Sequence, residues 1–455
     1  MDDRKNFTTR WWNWKLEILK MEKFTLFWFR RDLRLEDNHG LFKALNGENK
    51  VIPIFIFDTE ILDKLPKSDA RVEYILIALG AINRAMKRNR CSIGMYHGSP
   101  KAIFTKLIQT WPIEKIVCNS DYEPYARKRD QEIQVFLEAQ HIGFETYKDQ
   151  VIFEKEEVVK EDGSPYRVYT PYSRKWLSQF SSQKPAYFPS ADYVMQFAQV
   201  DQPSITLEDL GFTPSVLAQP HHIVNQELIS AYEETRNFPA LDQTSRIGTA
   251  LRFGTVSTRK IVKQAAANDN PTFLKELIWR EFFMQILWHY PHTSTQSFKP
   301  QYDRIEWRNN PEEFEKWCQG KTGYPLVDAG MRQLNETGFM HNRVRMLVGS
   351  FLCKHLLIDW RLGEAYFAEK LFDYEMSSNI GNWQWVAGCG VDAAPYFRIF
   401  NPTEQLKKFD KQHDYVNKWV PDYQELTYPQ PIVDHPFARA RCLTTYKAAL
   451  DAQKN

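Results

Sequence analysis

Two short apolar runs lie close together near the start of the chain: Phe24–Phe29, FTLFWF, and Val51–Phe57, VIPIFIF. Continuous apolar runs of this length are typical of strands that are covered on both faces. Helical spacing follows over Tyr74–Met86, and another strand at Ile116–Val117 leads into a helix near Ala126–Ala139. Strands that alternate with helices in this way predict a doubly wound α/β domain built on a parallel sheet.

The pattern changes twice further along the chain. Residues 181–222 carry five prolines and show no sustained period, which is typical of a connecting segment. Beyond residue 224, long helical stretches replace the strand-like alternation, so an all-helical domain is expected there. The sequence thus predicts four parts: an extension outside the fold at 1–20, the α/β domain at 21–150, an interdomain connection at 151–223 and the helical domain at 224–455.

Composition places the chain among globular proteins. Of its 455 residues, 43% are hydrophobic and 25% are charged, and the formal net charge is +2. Binding to nucleic acid would therefore need a local cluster of Lys and Arg rather than the overall charge. Aromatic residues make up 14% of the chain, which fits a helix-rich protein that holds a flat ligand or a well-filled core.

Several other classes are not supported by the sequence. The six cysteines lie far apart without a CxxC pair, which favours reduced thiols in a cytoplasmic protein and argues against a metal site. We find no apolar run of the ~18 residues that a membrane span requires. Residues 1–20 lack the apolar core of a secretory signal, although an amphipathic surface anchor is an alternative there. The α/β region has no GxGxxG and no GxxxxGK[ST], which argues against a dehydrogenase or a P-loop NTPase.

One helical face combines charge with aromatic rings. Glu276, Trp279, Arg280 and Phe283 have the i, i+3, i+4 and i+7 spacing of a single face. This combination indicates a polar anchor beside a stacking platform. The alternative is an internal Glu276–Arg280 ion pair that is capped by aromatic rings.

A second segment, Phe339–Met346, mixes amide, cation and thioether groups. Asn342 and Met346 share a helical face, whereas Arg343 and Arg345 project differently. The run could offer an amide to a ring system and a cation to a phosphate, or it could be a solvated basic turn.

Paired tryptophans mark a third segment. If 373–385 is helical, Asn379 and Trp383 share one face, while Trp383 and Trp385 differ by about 200°. One indole could then serve each of two sites, or both could fill core space.

Two weaker signals complete the candidates. Thr244 and Ser245 precede a helical pattern, where hydroxyls and free amides can bind a phosphate or simply cap the helix. Lys407, Lys408 and Lys411, together with Arg398, could follow a nucleic-acid backbone or form a solvated face.

Taken together, these segments resemble the DNA photolyase/cryptochrome family from about Phe24 to Ala448. The motifs occur in the family's order: LFWFRRDLRLEDN (26–38), YTPYSRKW (169–176), TSRIG (244–248), ELIWREF (276–282), KTGYPLVDAGMRQLNETGFMHNRVRM (321–346), NWQW (382–385) and DAAPYFRIFNP (392–402). The chain is most similar to photolyases that repair cyclobutane pyrimidine dimers, because (6-4) photoproduct enzymes carry a second His in place of Asn342.

The resemblance implies an α/β antenna domain and a helical domain that binds FAD. The residues expected to hold FAD are Tyr232, Thr244, Ser245, Arg246, Ile247, Gly248, Arg280, Asn342, Arg345, Asp373, Glu375 and Asn379, with Asn379 facing the flavin N5. Two positions depart from the family pattern. Gly248 replaces a serine, which removes a hydroxyl but keeps the backbone donor, and Glu375 stands where Asp is usual.

The implied activity is light-driven electron transfer from reduced FAD to a dimer that is flipped out of DNA. By resemblance, Glu276 stabilises the dimer radical anion and Asn379 faces the flavin as a catalytic residue. Trp383, Trp360 and Trp307 match the family's electron-hopping chain, through which the oxidised flavin is photoreduced from the surface. The residues expected to bind the damaged DNA are Arg236, Glu276, Trp279, Asn342, Arg343, Met346, Trp385 and Arg398. A monomer is expected.

The antenna ligand is less defined by the sequence. Folate-binding members carry Asn-Glu in the stretch where this chain has Tyr125 and Ala126, so methenyltetrahydrofolate is not expected. A deazaflavin, a second flavin and an empty pocket remain alternatives. For the whole protein, the alternative function is a cryptochrome-type photoreceptor without repair activity.

Overall fold

Five parallel strands form the sheet of the N-terminal domain in the computed structural model, which describes residues 23–451. The strand order is β3-β2-β1-β4-β5. The strands are β1 (Phe24–Phe29), β2 (Lys50–Phe57), β3 (Gly94–His97), β4 (Ile113–Asn119) and β5 (Gly143–Tyr147). The predicted extension at 1–20 lies outside the described residues.

Alternating side chains of β1 enter two different cores. Phe27 and Phe29 pack in one cluster with Leu79, and Leu26 and Trp28 pack in another with Phe104. The helices that cover the two faces are α1 (His39–Leu45), α2 (Thr59–Leu62), α3 (Ala70–Met86), α4 (Pro100–Thr110) and α5 (Pro124–Glu138). A sheet buried on both faces explains why its strands are continuous apolar runs, and the doubly wound prediction is confirmed.

The segment 151–223 is more structured than a plain connection. It contains α6 (Tyr169–Ser182), whose Tyr172, Trp176 and Phe180 are buried against the helical domain. Further along, Phe197 forms a bridge with Val51 at the sheet and packs in the α/β core. This segment therefore contributes to both domains instead of only linking them.

Helices make up the regular structure of the described chain after residue 224, as predicted. They are α7 (Gln226–Thr235), α8 (Gly248–Phe253), α9 (Thr258–Ala266), α10 (Thr272–His289), α11 (Pro311–Cys318), α12 (Pro325–Thr337), α13 (Asn342–Ser350), α14 (Trp360–Lys370), α15 (Met376–Ala387), α16 (Pro402–Phe409), α17 (Asp414–Trp419) and α18 (His435–Asp451). A π-helical turn, Phe351–Leu356, extends α13. The core of this domain includes the buried indoles of Trp317, Trp360 and Trp383.

The loop after β1 docks directly on the helical domain. Leu33 donates its backbone N–H to Phe253 O at 3.0 Å. Gly254 has a φ of +64°, and a Cβ there would lie 2.1 Å from the carbonyl oxygen of Arg31. Only glycine fits such a close approach, so this contact fixes how the carboxyl end of the sheet faces the helices.

All six cysteines are buried and unpaired. Within residues 23–451, none of the helices combines the length and the apolar character that crossing a membrane would require.

Candidate functional site

Two cavities lie side by side in the helical domain, and we call them the inner and the outer cavity. The inner cavity, of about 850 Å³, is lined by Gly248, Arg280, Asn342, Arg345, Met346, Gly349, Phe367, Leu371, Asp373, Tyr374, Glu375, Ser378, Asn379, Asn382, Trp383 and Val386. The outer cavity, of about 810 Å³, is lined by Arg236, Glu276, Trp279, Arg280, Phe283, Asn342, Met346, Ser378, Asn382 and Trp385.

The two cavities share a wall. Five residues line both of them: Arg280, Asn342, Met346, Ser378 and Asn382. A ligand in the inner cavity and a ligand in the outer one would therefore be separated by little more than one layer of side chains.

Helix α10 supplies one wall of the outer cavity through the face that the sequence predicts. Glu276, Trp279, Arg280 and Phe283 all line it. The indole of Trp279 is stacked on Tyr169, with ring centroids 3.7 Å apart and an interplanar angle of 6°. Stacking of this kind holds the indole in a fixed plane beside the cavity.

The internal Glu276–Arg280 pair that the sequence left open is not what the structure shows. Glu276 Oε1 lies 2.5 Å from Nη1 of Arg236. Arg280 instead places its Nε 3.3 Å from Glu375 and donates from Nη1 to the carbonyl oxygen of Gln150 at 2.9 Å. The carboxylate of Glu276 thus belongs to the outer cavity, whereas the guanidinium of Arg280 lies between the cavities.

Helix α15 presents two stripes of side chains to the two cavities. Asn379 and Trp383 line the inner cavity, while Trp385 lines the outer one. Ser378 and Asn382, one turn apart, lie on the shared wall. The separation of about 200° between Trp383 and Trp385 therefore places one indole at each cavity.

The charged groups of the inner cavity are held by ion pairs. Arg345 lies 2.9 Å from Asp373, and Glu375 is paired with both Arg280 and Arg31. Burial by itself would raise the pKa of Glu375, but the two guanidinium groups lower it below its usual value. The inner cavity thus carries fixed charges of both signs, and the ionised carboxylate of Glu375 is paired rather than free.

Asn379 is also fixed in place. Its Nδ2 donates to the carbonyl oxygen of Glu364 at 3.1 Å and to Oε1 of the same residue at 2.9 Å. Both bonds hold the amide plane at the inner cavity, and burial raises the pKa of the Glu364 carboxyl. The amide is therefore oriented before any ligand binds.

Several features of the inner cavity fit a dinucleotide cofactor such as FAD. Arg280 Nη2, in the cavity lining, and Thr244 Oγ1, in the loop that leads into Gly248, are buried and have no hydrogen-bond partner among the described residues. A Cβ at Gly248 would lie 2.8 Å from the Cβ of Asp373, so the glycine lets Asp373 pack against the backbone where a serine would have to displace it. Unsatisfied buried donors at and beside the cavity are what a polar cofactor would complete.

Five residues expected at the diphosphate do not line the inner cavity as the described residues outline it: Tyr232, Thr244, Ser245, Arg246 and Ile247. All but Tyr232 form the loop that leads into Gly248 and α8. Arg246 is turned toward Asp242, 2.6 Å away, and Tyr232 packs edge-on against Phe273. Their role in binding a cofactor stays a prediction.

Two of the residues expected at the DNA lie beside the outer cavity rather than in its lining. Arg343 packs over Phe409 at 4.5 Å and donates to Asn237. Arg398 is exposed and lies 5.9 Å from the ring centre of Trp385. Both cations therefore flank the opening and stay candidates for phosphate contacts.

The three indoles of the expected hopping chain differ in exposure. Trp383 and Trp360 are buried, and Trp307 is half-buried against Tyr446, with ring centroids 6.0 Å apart. Trp383 also lies 6.2 Å from Trp317, an aromatic contact that the sequence analysis did not anticipate.

His341 behaves as a structural partner. Its Nδ1 accepts the backbone N–H of Arg343 at 3.2 Å and caps α13. Burial and the nearby arginines lower its pKa to about 4, so it is neutral at physiological pH. Among residues 23–451, no cluster of three His, Cys, Asp or Glu side chains is placed to hold a metal ion.

Sequence reasoning did not single out Arg31, which supports the site through Glu375, or seven of the lining residues: Gly349, Phe367, Leu371, Tyr374, Ser378, Asn382 and Val386. Ser378 and Asn382 could have been found, because they share the i, i+4, i+7 stripe with Trp385. Arg31 could not, because it lies in the α/β domain and reaches the inner cavity only through the docking of the two domains.

Two family models match the chain. Residues 25–190 match the model described as DNA photolyase, and residues 273–427 match the FAD binding domain of DNA photolyase. The first region contains the sheet, and the second contains most residues of both cavities.

Curated relatives cover nearly the whole chain. The deoxyribodipyrimidine photo-lyase of Agrobacterium fabrum is 34% identical over 92% of this chain and 97% of its own length. The deoxyribodipyrimidine photo-lyase of Escherichia coli is also 34% identical, over 93% of this chain and 98% of its own.

Solved structures agree with these matches. A class III photolyase from Agrobacterium tumefaciens has a TM-score of 0.84 at 33% identity and covers 94% of this chain and 98% of its own. A photolyase from Sulfolobus tokodaii, solved with two FAD molecules, has a TM-score of 0.81 at 31% identity over 93% of this chain and 100% of its own. The sheet, the paired cavities and these similarities together place the chain in the DNA photolyase/cryptochrome family.

Proposed function

We propose that this protein is a deoxyribodipyrimidine photo-lyase that repairs cyclobutane pyrimidine dimers in DNA. The observation that carries the proposal is the wall of five side chains that the inner and outer cavities share. It allows a cofactor on one side and an extruded pair of bases on the other to come close to the same side chains.

The inner cavity is the proposed FAD site. Arg280, Asn342, Arg345, Asp373, Glu375 and Asn379 line it, with Gly248 at its edge. Bound, reduced FAD supplies a light-driven electron for cleavage of the dimer. The protein positions the cofactor. The Arg345–Asp373 ion pair holds two charges in place, and Glu364 holds the amide of Asn379 in one orientation.

The outer cavity is the proposed dimer site. Trp279 and Trp385 offer flat faces on which pyrimidine rings can pack. The carboxylate of Glu276, which is held by Arg236, offers an acceptor for the ring N–H groups. Flipping a damaged, poorly stacked dimer out of the duplex costs only a few kcal/mol, which stacking on Trp279 and Trp385 can recover.

Trp383 lines the inner cavity, Trp360 is buried, and Trp307 is half-buried. This increase in solvent exposure at Trp307 supports a hopping chain from the inner cavity to the surface. Replacing Trp360 or Trp307 with Phe keeps an aromatic ring at the position but removes the oxidisable indole. We expect each variant to lose light-driven reduction of its flavin, measured by absorbance, and to repair normally after chemical reduction. Photoreduction at the wild-type rate would show that the chain assignment is wrong.

The decisive experiment is illumination of the purified, reduced protein with a dimer-containing oligonucleotide. We expect the dimer content to fall with time in the light and to stay constant in the dark, as read by chromatography of the digested DNA. A protein that holds FAD but leaves the dimers unchanged in the light would contradict the proposal and would revive the photoreceptor alternative, which the curated photo-lyase relatives do not favour.

A second chromophore would bind in the α/β domain, in a cleft of about 510 Å³ that includes Asp58, Lys101, Tyr125 and Arg129. Tyr125 donates its hydroxyl to Asp58 across this cleft at 2.5 Å. The Sulfolobus relative's two FAD molecules make a flavin one of the candidates, beside a deazaflavin. The absorption spectrum of the purified protein distinguishes these chromophores from an empty cleft.

A further inference from the structure

Arg31 lies where the carboxyl ends of β1 and β4 meet. These strands are neighbours, but the chain reaches β4 only after β2 and β3, so the crevice between them is the topological switch point of the sheet. Arg31 Nη1 spans this crevice and lies 3.2 Å from Asp121 and 3.1 Å from Glu123, both from the loop after β4. The crevice is therefore closed by an ion-pair cluster.

The same side chain also crosses to the helical domain. Arg31 Nη2 lies 2.9 Å from Glu375 Oε1, and Arg31 Nε donates to the carbonyl oxygen of Arg252 at 3.2 Å. Arg252 in turn pairs with Glu123 at 2.8 Å. The three nitrogens of the Arg31 guanidinium group thus make contacts in both domains.

Glu375 connects this cluster to the inner cavity. Its Oε2 lies 3.3 Å from Nε of Arg280 and accepts a hydrogen bond from Ser378 at 3.1 Å. The Glu375 side chain is only 6% exposed, and an ionised carboxylate buried to that degree must be paired. Glu375 holds Arg280, which lines both cavities. The ion pair between Arg31 and Glu375 is therefore connected to the shared wall through Arg280.

We infer that Arg31 is a positioning residue of the FAD site that the α/β domain contributes to the helical domain. It holds Glu375 and, through Glu375, the guanidinium of Arg280 in the arrangement that the inner cavity needs. The inference rests on the proposed function only in that the inner cavity is the FAD site. By linkage, FAD should also strengthen the contact between the two domains.

The test compares the full-length variants Arg31→Met, Arg31→Lys and Lys260→Met. Lys260 is the matched control, because it also pairs across the two domains, with Glu36 at 3.3 Å, but both side chains are more than half exposed. The measurements are the dissociation constant of FAD and the increase in Tm that FAD causes. Loss of a merely structural contact would lower the Tm without FAD but would leave that increase unchanged.

We expect Arg31→Met to bind FAD at least about tenfold more weakly and to lose most of the FAD-induced increase in Tm. Arg31→Lys should retain part of the FAD affinity and part of the increase in Tm, because lysine keeps the positive charge but not the planar set of guanidinium donors. Lys260→Met should match the wild type. Equal FAD affinity in Arg31→Met and wild type would overturn the inference.

A second variant covers the case in which Arg31→Met does not fold. Glu123→Gln weakens the hold on Arg31 from a position outside both cavities, and we expect it to weaken FAD binding about threefold. Wild-type affinity in Glu123→Gln would then overturn the inference. If the wild type itself binds no FAD, the proposed function fails, and that result is distinct from the failure of Arg31 variants alone.

Discussion

The inner and outer cavities meet at one wall but hold their charged groups in different ways. In the inner cavity, Glu375 is 6% exposed and lies between two guanidinium groups, and Asp373 is paired with Arg345. In the outer cavity, Glu276 is 35% exposed and has Arg236 as its partner. The first arrangement suits a ligand that stays bound, and the second suits one that enters and leaves through water.

The largest effect on cofactor binding is expected where a fixed pair of the inner cavity is broken. Asp373→Ala leaves the guanidinium of Arg345 without its carboxylate, and removing one partner of a largely buried pair is costly. We expect FAD retention after gel filtration to fall at least about tenfold. Glu276→Ala is the control, since it alters only the outer cavity, and equal FAD loss in both variants would remove the distinction between the cavities.

A substitution in the outer cavity should lower the repair rate rather than the FAD content. Glu276→Ala removes the acceptor proposed to stabilise charge on the dimer, and we expect the repair rate to fall about 100-fold, as for loss of other preorganised electrostatic contacts. Dimer binding should weaken by no more than about threefold. Repair assays and binding titrations on the same preparation measure the two effects, and equal losses in both would contradict the assigned role.

A smaller effect is expected for the stacking face. Trp385→Ala should weaken binding of dimer-containing DNA about tenfold, the value of one lost base–aromatic stack, while FAD content stays unchanged. Trp111→Ala removes a half-buried indole of the α/β domain and serves as the matched control. Loss of FAD from the Trp385 variant would mean that the two stripes of α15 are not independent.

The smallest effect concerns the face of α10 that points away from both cavities. Glu281 is buried and accepts hydrogen bonds from Trp176 and from the backbone N–H groups of Ile152 and Phe153. Burial raises its pKa to about 7, so in the folded state the proton is held more tightly than in the unfolded chain. This contribution to stability is complete below the unfolded pKa and is lost as the pH rises through 7.

We therefore expect the free energy of unfolding to fall by about 2 kcal/mol between pH 5 and pH 8 through this group. Urea titrations across that range measure it, and Glu281→Gln should show a correspondingly smaller fall. An unchanged pH dependence in the variant would place the titrating group elsewhere.

These regions also differ in how much the sequence could predict. The face of α10 and the two stripes of α15 follow from helical periodicity, because residues within one helix have fixed relative positions. Periodicity could equally have shown α6, where Tyr172, Trp176 and Phe180 are four residues apart. The run of prolines beyond it favoured a simple connection instead.

The inner cavity combines residues from separate segments of the chain, and no local sequence pattern predicts that these segments lie together. Arg345, Asp373 and Gly248 could be grouped only by resemblance to a family, not by spacing. Arg31 escaped even that, since its contact with Glu375 depends on how two domains dock. The sequence therefore predicts elements and faces well and predicts poorly which faces meet.

The paired stripes of α15 also limit how this site can evolve. Inserting one residue in the middle of the helix would turn its second half by about 100° and would displace Trp383 and Trp385 from their cavities at the same moment. Replacing Trp385 alone changes the outer cavity and spares the inner one. Descendants that acquire a new substrate should therefore keep the length of this helix and diverge by substitution at Trp385.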